Sequence, residues 1–165
     1  MRTVLLPRAR VQMAAYGLTA ADVNAFANLF RTAWHFIPAR HRRLILREWR
    51  TSRFGVTGTG WCLPVYLVAG VIEEESPEGR ITPACYFRHT RGIGVYWPVF
   101  LKASPEWMAF TLFHELAHVY NLRRPGKWAW ACREIRAGVP WAKRRCEREA
   151  DATAAAWGAF RPAKP

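Results

Sequence analysis

Two histidines and a glutamate within five residues have the spacing of a catalytic metal site. The segment is His114-Glu115-Leu116-Ala117-His118, which has the form H-E-x-x-H. Residues four apart on an α-helix lie on one face, so both imidazoles can bind the same ion. In this arrangement the histidines hold zinc and the glutamate acts as a general base. The spacing therefore predicts a zinc site with His114 and His118 as ligands and Glu115 as the catalytic base.

The sequence on either side of this segment predicts a buried helix. Ser104 can cap its first turn, Pro105 suits the first helical position, and Pro125-Gly126 marks its end. A helix that is apolar on nearly every side is a buried helix, and imidazoles or carboxylates without partners there would each cost about a few kcal/mol. A bound metal would offset that cost, whereas the alternative is an amphipathic helix whose polar stripe faces solvent. The apolar positions are Trp107, Phe110, Leu112, Phe113, Leu116 and Val119.

A catalytic zinc ion usually has three protein ligands, so one more must come from elsewhere in the chain. No histidine follows His118 in the sequence. Asn121 and Arg124 stand where a metzincin would carry glycine and histidine, which excludes that form of ligation. The remaining downstream candidates are thiols and carboxylates: Cys132, Glu134, Cys146, Glu147, Glu149 and Asp151.

We favour Glu147 as the third ligand. Residues 146–154 are predicted to be helical, in a helix that begins near Pro140. Glu147 and Asp151 are four residues apart and share a face of this helix. One of them could bind the metal while the other accepts a hydrogen bond from a ligand histidine. The other carboxylates and the thiols remain alternatives, and a solvated acidic face paired with nearby arginines is the competing explanation.

Together, these segments resemble the gluzincin metallopeptidases, which carry H-E-x-x-H on one helix and E-x-x-x-D on a later one. The sequence Glu-Arg-Glu-Ala-Asp at residues 147–151 is most similar to the E-x-E-A-[DN] segment of ImmA/IrrE-like and HtpX-like peptidases. The resemblance covers roughly residues 91–122 and 140–158. It implies that Glu147 is the third metal ligand and that Asp151 supports a ligand histidine.

The same resemblance implies a zincin-like fold of the α+β class. Such a fold would combine a small mixed or antiparallel sheet, the metal-binding helix and a C-terminal helix with the third ligand. Helical periodicity, and not the resemblance, adds an N-terminal pair of helices. The edge strand of the sheet lies beside the active-site helix and binds extended substrate through its backbone. By resemblance, Gly92 to Trp97 is that strand, with Ile93, Gly94 and Val95 at its centre.

Local periodicity and turn signals predict the remaining elements within a single domain over residues 1–165. Residues 1–53 form a basic helical part, and residues 61–165 contain the sheet and the metal-binding helices. A capping box at Thr19 to Asp22 opens the first helix. In chain order, the predictions are helices at 19–36 and 39–50, strands at 61–72, 81–89 and 92–100, and a short helix at 127–137 that covers the site.

The charge is strongly positive, at a formal +13, and ten of the arginines lie in residues 1–53. Basic surfaces of this kind attract polyanions, so nucleic acid is a second candidate partner beside a peptide substrate. No window reaches the ~20 apolar residues of a membrane span, and no secretory signal is recognisable. The four cysteines have no disulfide or zinc-ribbon spacing. We therefore expect a cytoplasmic protein that has no membrane anchor.

The predicted function is that of a zinc metallopeptidase with one Zn²⁺ ion. Zinc lowers the pKa of a bound water toward ~7 and Glu115 accepts its proton. A first alternative is a nucleic-acid-associated or regulatory protein whose zinc is structural, with Cys132 or Cys146 as a fourth ligand. A second alternative is a protease that its basic half tethers to DNA. Candidate donors to the oxyanion of the reaction are Tyr120, Tyr96, His89 and Arg91.

Overall fold

The computed structural model of the chain describes residues 2–6, 11–50, 65–69, 83–87 and 91–162. Within these ranges the chain forms six α-helices and a five-stranded sheet, so the predicted α+β class is confirmed. A single 3-10 turn, Trp141–Lys143, precedes the last helix. The strands are β1 (Arg2–Leu6), β2 (Val11–Tyr16), β3 (Val65–Val68), β4 (Ala84–Phe87) and β5 (Gly92–Tyr96), and the helices are α1 (Ala20–Phe36), α2 (Ala39–Arg50), α3 (Trp97–Phe100), α4 (Pro105–Leu122), α5 (Lys127–Arg136) and α6 (Arg145–Ala156).

The sheet is mixed, and its strand order is β1-β2-β3-β5-β4. The two central pairings, β2 with β3 and β3 with β5, are parallel, whereas both outer pairings are antiparallel. The predicted helical N-terminal part therefore begins only at Ala20, after two strands. The segment Val-Gln-Met-Ala-Ala-Tyr of β2 has no run of β-branched residues, so its extended conformation depends on pairing with distant β3.

The prediction that Gly92 to Trp97 forms the edge strand was wrong. β5 pairs with β3 on one side and with β4 on the other, so Ile93, Gly94 and Val95 lie inside the sheet. In the described part of the chain, β4 stands at that end of the strand order. The strand also ends at Tyr96, because Pro98 begins the short helix α3 instead of continuing the ladder.

The capping box predicted at the start of α1 is present. The Thr19 side chain accepts a hydrogen bond from the Asp22 backbone at 3.2 Å, and the Asp22 carboxylate accepts one from the Thr19 backbone at 3.1 Å. The other oxygen of Asp22 accepts from Trp97 Nε1 at 3.0 Å, which ties α1 to α3. One face of α1 packs in the core through Val23, Phe26, Ala27, Phe30, Ala33 and Trp34.

α4 is the central helix and contacts the sheet and α1, α2, α5 and α6. Its predicted start is confirmed, since the Ser104 hydroxyl accepts from the Trp107 backbone at 3.3 Å. Its end at Leu122 agrees with the predicted turn that follows. None of the helices in the described ranges is long and apolar enough to cross a membrane.

His41, which is half-buried, joins three helical segments. Trp157, after α6, donates from Nε1 to His41 Nδ1 at 2.9 Å, so His41 carries its hydrogen on Nε2 and donates to the Tyr120 hydroxyl of α4 at 3.2 Å. The imidazole also stacks on the Tyr120 ring, with centroids 4.3 Å apart. Burial, followed by the charges of Arg40 and Arg123, lowers the pKa of His41 below its ordinary 6.5.

Because the pKa of His41 is lower in the folded state, this histidine stabilises the fold above pH 6.5, and that contribution is lost as the pH falls further. We expect the free energy of unfolding to fall more steeply between pH 7 and pH 5 in the native protein than in His41→Gln. Urea denaturation across this range measures the difference. His35→Gln, at an exposed histidine of α1, should retain the native slope; equal slopes for all three proteins would contradict the prediction.

Candidate metal centre

α4 carries the H-E-x-x-H segment with its polar side chains turned into the protein. His114, Glu115 and His118 are 5%, 7% and 7% exposed, and Thr111 on the same stripe is 8% exposed. The alternative of a polar stripe facing solvent is therefore excluded. Buried imidazoles and carboxylates require strong partners, so the partners of these groups determine what the site can do.

The two histidines and Glu147 meet at one point. His114 Nε2 lies 3.0 Å from His118 Nε2 and 3.1 Å from the Glu147 Oε2 atom, and His118 Nε2 lies 3.3 Å from that oxygen. Ligand atoms at zinc distances of about 2.0–2.2 Å around a tetrahedral ion would be roughly 3.3–3.5 Å apart. Among the described residues, these three form a group that could hold a metal ion.

Small side chains on α6 allow this helix to pack closely on α4. This packing brings Glu147 to His114 and His118. Ala150 and Ala154 are fully buried against the core. Asn121 of α4 fixes the register between the helices, because its amide donates to the Glu149 carbonyl at 3.1 Å and to the Thr153 hydroxyl at 3.0 Å. α6 begins at Arg145, later than predicted, because residues 141–143 form the 3-10 turn.

Asp151 lies behind His114, on the side away from the meeting point. Its Oδ1 is 2.7 Å from His114 Nδ1. Burial acts to raise the pKa of Asp151, but hydrogen bonds from His114 and Arg161 lower it, so this carboxylate is ionised and His114 Nδ1 donates to it. The Nε2 atom of His114 therefore faces Glu147 and His118.

Arg161, from the segment after α6, completes this chain of contacts. Its Nε and Nη2 atoms donate to the two oxygens of Asp151 at 3.1 and 2.9 Å. The guanidinium lies over the rings of Phe110 and Trp141, 5.0 and 5.1 Å from their centroids. The Trp141 ring is in turn 6.1 Å from the His114 ring. Two aromatic rings thus hold the arginine that orients the carboxylate behind His114.

The electrostatics of the meeting point favour a bound cation. Burial acts to raise the pKa of Glu147, yet its hydrogen bonds to His114 and His118 hold the pKa well below its usual range. Burial acts to lower the pKa of His114, but Asp151, Glu147 and the charge of Glu115 more than offset this and raise it to about 9. The carboxylates therefore stabilise positive charge between the imidazoles, whether a proton or a metal ion supplies it.

Glu115 lies beside the three converging side chains but is not one of them. Burial raises the pKa of Glu115 above its usual range, and a hydrogen bond from the Tyr86 backbone in β4 partly counteracts this. Among the described residues, no group is within hydrogen-bond distance of the buried Nδ1 atom of His118. The Tyr86 ring stacks on the His118 ring, with an interplanar angle of 10°. β4 therefore holds Glu115 and His118 from the sheet side.

The other candidates for third ligand have different partners. Glu149 forms ion pairs with Lys127 at 2.7 Å and with Arg145 at 3.1 Å, on the side that faces α5. Glu134 accepts from the Arg145 backbone at 3.0 Å. Cys146 Sγ is 3.6 Å from Glu147 Oε1, and burial together with the charge of Glu147 raises the pKa of this thiol to about 12. Cys132 is a half-buried free thiol. None of the four belongs to the converging group in the described ranges.

Of the predicted oxyanion donors that the structure describes, none lines the cleft beside the three ligands. Tyr120 follows His118 by two positions, which turns its side chain to the opposite side of α4, where it contacts His41. Tyr96 is only 1% exposed. Arg91 forms an ion pair with Glu48 at 3.2 Å. His89 lies outside the described residues.

An open cleft of about 1320 Å³ gives access to the candidate metal centre. β4 forms one wall, with residues 84–87, and the first turns of α4 form another. α5 and the 3-10 turn close the far side, which confirms the predicted short helix next to the site. His114, Glu115, His118 and Glu147 all line this cleft, so the site is accessible to a substrate.

The sequence interpretation missed three residues that contact the site: Tyr86, Trp141 and Arg161. Each belongs to a segment that carries no motif, and its distance along the chain from its partner follows no helical period. The single sequence signal is that Arg161 closely follows the predicted C-terminal helix. From there its side chain could fold back and pair with an acidic residue of that helix.

Comparison with known proteins does not assign the chain to a family. No protein-family model, no curated protein and no solved structure matches it. The geometry of the cleft is therefore the basis for the function proposed below.

Proposed function

We propose that this protein is a zinc-dependent metallopeptidase of gluzincin type, with His114, His118 and Glu147 as ligands and Glu115 as the general base. The observation that carries the proposal is the meeting of three donor atoms, two of them on buried imidazoles, within 3.3 Å of one another in an accessible cleft. A carboxylate of raised pKa lies beside them. A zinc site for hydrolysis needs these parts together.

The donor set suits zinc. Two imidazole nitrogens and one carboxylate oxygen are ligands that zinc binds in catalytic sites, where a fourth position stays open. His114 would offer the lone pair of Nε2 to a bound metal, because Asp151 holds the hydrogen of its other nitrogen. Glu147 is ionised, so its oxygen also presents lone pairs. At these distances such atoms need a cation between them, either a proton or a metal ion, and the H-E-x-x-H spacing favours a metal.

When bound, zinc supplies a Lewis acid that polarises a carbonyl group and lowers the pKa of water to about 7. Glu115 then accepts a proton from the attacking water and delivers it to the leaving amine. Burial raises its pKa above that of an exposed glutamate, which makes it a stronger base. Asp151 and Arg161 keep the His114 ring in one orientation and one tautomer during the reaction.

The experiment that tests the proposal combines metal analysis with a cleavage assay. Purified protein should contain one equivalent of zinc and should cleave members of a mixed peptide library, as detected by mass spectrometry. A chelator should abolish cleavage, and one equivalent of zinc should restore it. Protein without stoichiometric metal, or cleavage that the chelator leaves unchanged, would refute the proposal.

The competing proposal is a structural zinc site. A measurement on the same protein can exclude it. Cys146 would have to supply a fourth ligand, but its Sγ bonds to Glu147 Oε1 and it does not belong to the converging group in the described ranges. We therefore expect the cobalt-substituted protein to lack the strong near-ultraviolet absorption of thiolate coordination. Its presence would favour the closed, structural site.

The nucleic-acid interaction remains a prediction from charge. Arg40, Arg43 and Arg47 are exposed on α2, at spacings that bring them towards one side of the helix. A DNA-tethered protease would cleave faster with DNA at low salt and lose this stimulation at high salt.

Replacement of Arg161 should weaken zinc binding, although Arg161 does not contact the metal. Arg161→Leu leaves the apolar packing against Phe110 and Trp141 but removes both hydrogen bonds to Asp151. Loss of such a support typically lowers metal affinity roughly 10- to 100-fold, and we expect the lower end here because Asp151 itself remains. Competition against a chromophoric chelator measures the affinity.

The matched control is Arg148→Leu, at an exposed arginine of α6. Its zinc affinity should equal that of the native protein, and Arg161→Lys should recover part of the loss. Equal zinc affinities for Arg161→Leu and Arg148→Leu would show that Arg161 has no part in metal binding.

A further inference from the structure

The walls of the cleft indicate which peptides it accepts. We propose that the cleft selects extended peptide segments that carry a large apolar side chain next to the scissile bond and a carboxylate nearby. This inference rests on the proposed peptidase function and names the substrate class of the same site. Three observations carry it: exposed apolar side chains in the cleft, further apolar lining from α3 and α4, and cations that form no ion pair with a carboxylate in the described part of the chain.

The first observation is where the exposed apolar side chains occur. Three of the six large ones in the described ranges, Trp128, Ile135 and Trp141, line the cleft. They are 37%, 46% and 36% exposed. Exposed apolar groups gathered on one surface mark a binding site more often than isolated ones do. The complete set of six is Phe36, Leu101, Trp128, Ile135, Trp141 and Phe160.

The cleft is also apolar where α3 and α4 form it. Val99 from α3 and Trp107 and Phe110 from the first turns of α4 line it. Trp141 contributes a ring whose centroid is 6.1 Å from that of His114, beside the reacting centre. A side chain next to the scissile bond would therefore contact aromatic and aliphatic surface. Burial of a large apolar side chain against such a surface has a favourable free energy.

The charged residues that line the cleft indicate which charge the rest of the substrate should carry. The acids among the described lining residues are Glu115 and Glu147, both of which belong to the candidate metal centre. Lys102 and Arg144 also line the cleft, and no carboxylate among the described residues forms an ion pair with either. Arg161 is already committed to Asp151. The cleft therefore complements a substrate carboxylate and disfavours a cationic substrate.

Four matched fluorogenic peptides test this inference on the zinc-loaded protein. They differ at two positions only: leucine or alanine after the scissile bond, and aspartate or lysine two residues beyond it. We expect kcat/KM for the leucine–aspartate peptide to exceed that of the alanine–aspartate peptide by about tenfold, as a change of apolar pocket contacts typically allows. The preference for aspartate over lysine should be several-fold at low salt and should shrink at high salt.

Two variants test whether residues that line the cleft cause the preferences for leucine and aspartate. Ile135→Ser should reduce the preference for leucine, chiefly through KM, and Lys102→Gln should reduce the preference for aspartate. The matched controls are Phe36→Ser, an exposed apolar residue of α1 outside the cleft, and Lys143→Gln, an exposed lysine that does not line it. Both controls should keep the native preferences.

Binding of the same peptides to zinc-loaded Glu115→Gln, measured by tryptophan fluorescence, distinguishes the proposed substrate class from the proposed peptidase function. Cleavage of all four peptides at equal rates would overturn the substrate class and leave the peptidase function standing. Preferential binding of the leucine–aspartate peptide without cleavage of any peptide by the native protein would overturn the peptidase function and leave the cleft preference standing. Neither binding nor cleavage would overturn both.

Discussion

Glu115→Gln is expected to keep one equivalent of zinc and to lose peptide hydrolysis. Glutamine has nearly the same shape as glutamate, and Glu115 is not one of the three converging side chains, so the metal centre should be preserved. The amide cannot accept a proton from water. General acid–base catalysis contributes roughly 10²- to 10⁴-fold, so kcat should fall by at least about 100-fold.

Parallel measurements of zinc content and kcat decide this prediction. The matched control is Glu106→Gln, which makes the same change at an exposed position in the first turn of the same helix. It should retain native activity. If Glu115→Gln lost zinc together with activity, Glu115 would be acting on the metal centre itself, and its role as general base would be wrong.

Removal of His114 is expected to abolish zinc binding. His114→Ala takes away one of three converging donor atoms and also removes the hydrogen bond that holds Asp151 to the site. The affinity should therefore fall by more than the roughly 10- to 100-fold typical for loss of an outer supporting residue. Elemental analysis after dialysis should show a decrease from one equivalent to none.

His35→Ala serves as the control for this experiment, because His35 is exposed on α1 and distant from the converging group. The same measurement can identify the third ligand. Glu147→Ala should lose zinc, whereas Glu149→Ala should keep it, because Glu149 is engaged with Lys127 and Arg145. Stoichiometric zinc in His114→Ala would mean that the metal binds elsewhere in the chain.

The helical elements of the site could be predicted because their signals are local. Ser104 and Pro105 mark the start of α4, and the spacing of four residues brings His114 and His118 to one face. The same spacing in α6 brings Glu147 and Asp151 to the side that faces His114. A helix imposes these relationships on any sequence that forms it, so they can be derived without knowledge of the rest of the fold.

Predictions that depended on contacts between distant segments were less successful. Gly92 to Trp97 was assigned to the edge of the sheet, but β4 pairs outside β5. Tyr120 was a candidate oxyanion donor, but its side chain turns to His41. In the first case, the alternation of side chains along a strand does not reveal its neighbours. In the second, two positions along a helix reverse the direction of a side chain, so proximity in sequence was misleading.

By itself, the sequence determined the pair of histidines, the adjacent glutamate, the helix that carries them and the acidic pair on a second helix. The tertiary structure alone decided that Glu147 reaches the imidazoles, and that Arg161 and Trp141 reinforce Asp151 and His114. The physical reason is the range of the interactions. Helical periodicity and capping act over a few residues, whereas the packing of α6 on α4 depends on surfaces formed by residues far apart in the chain.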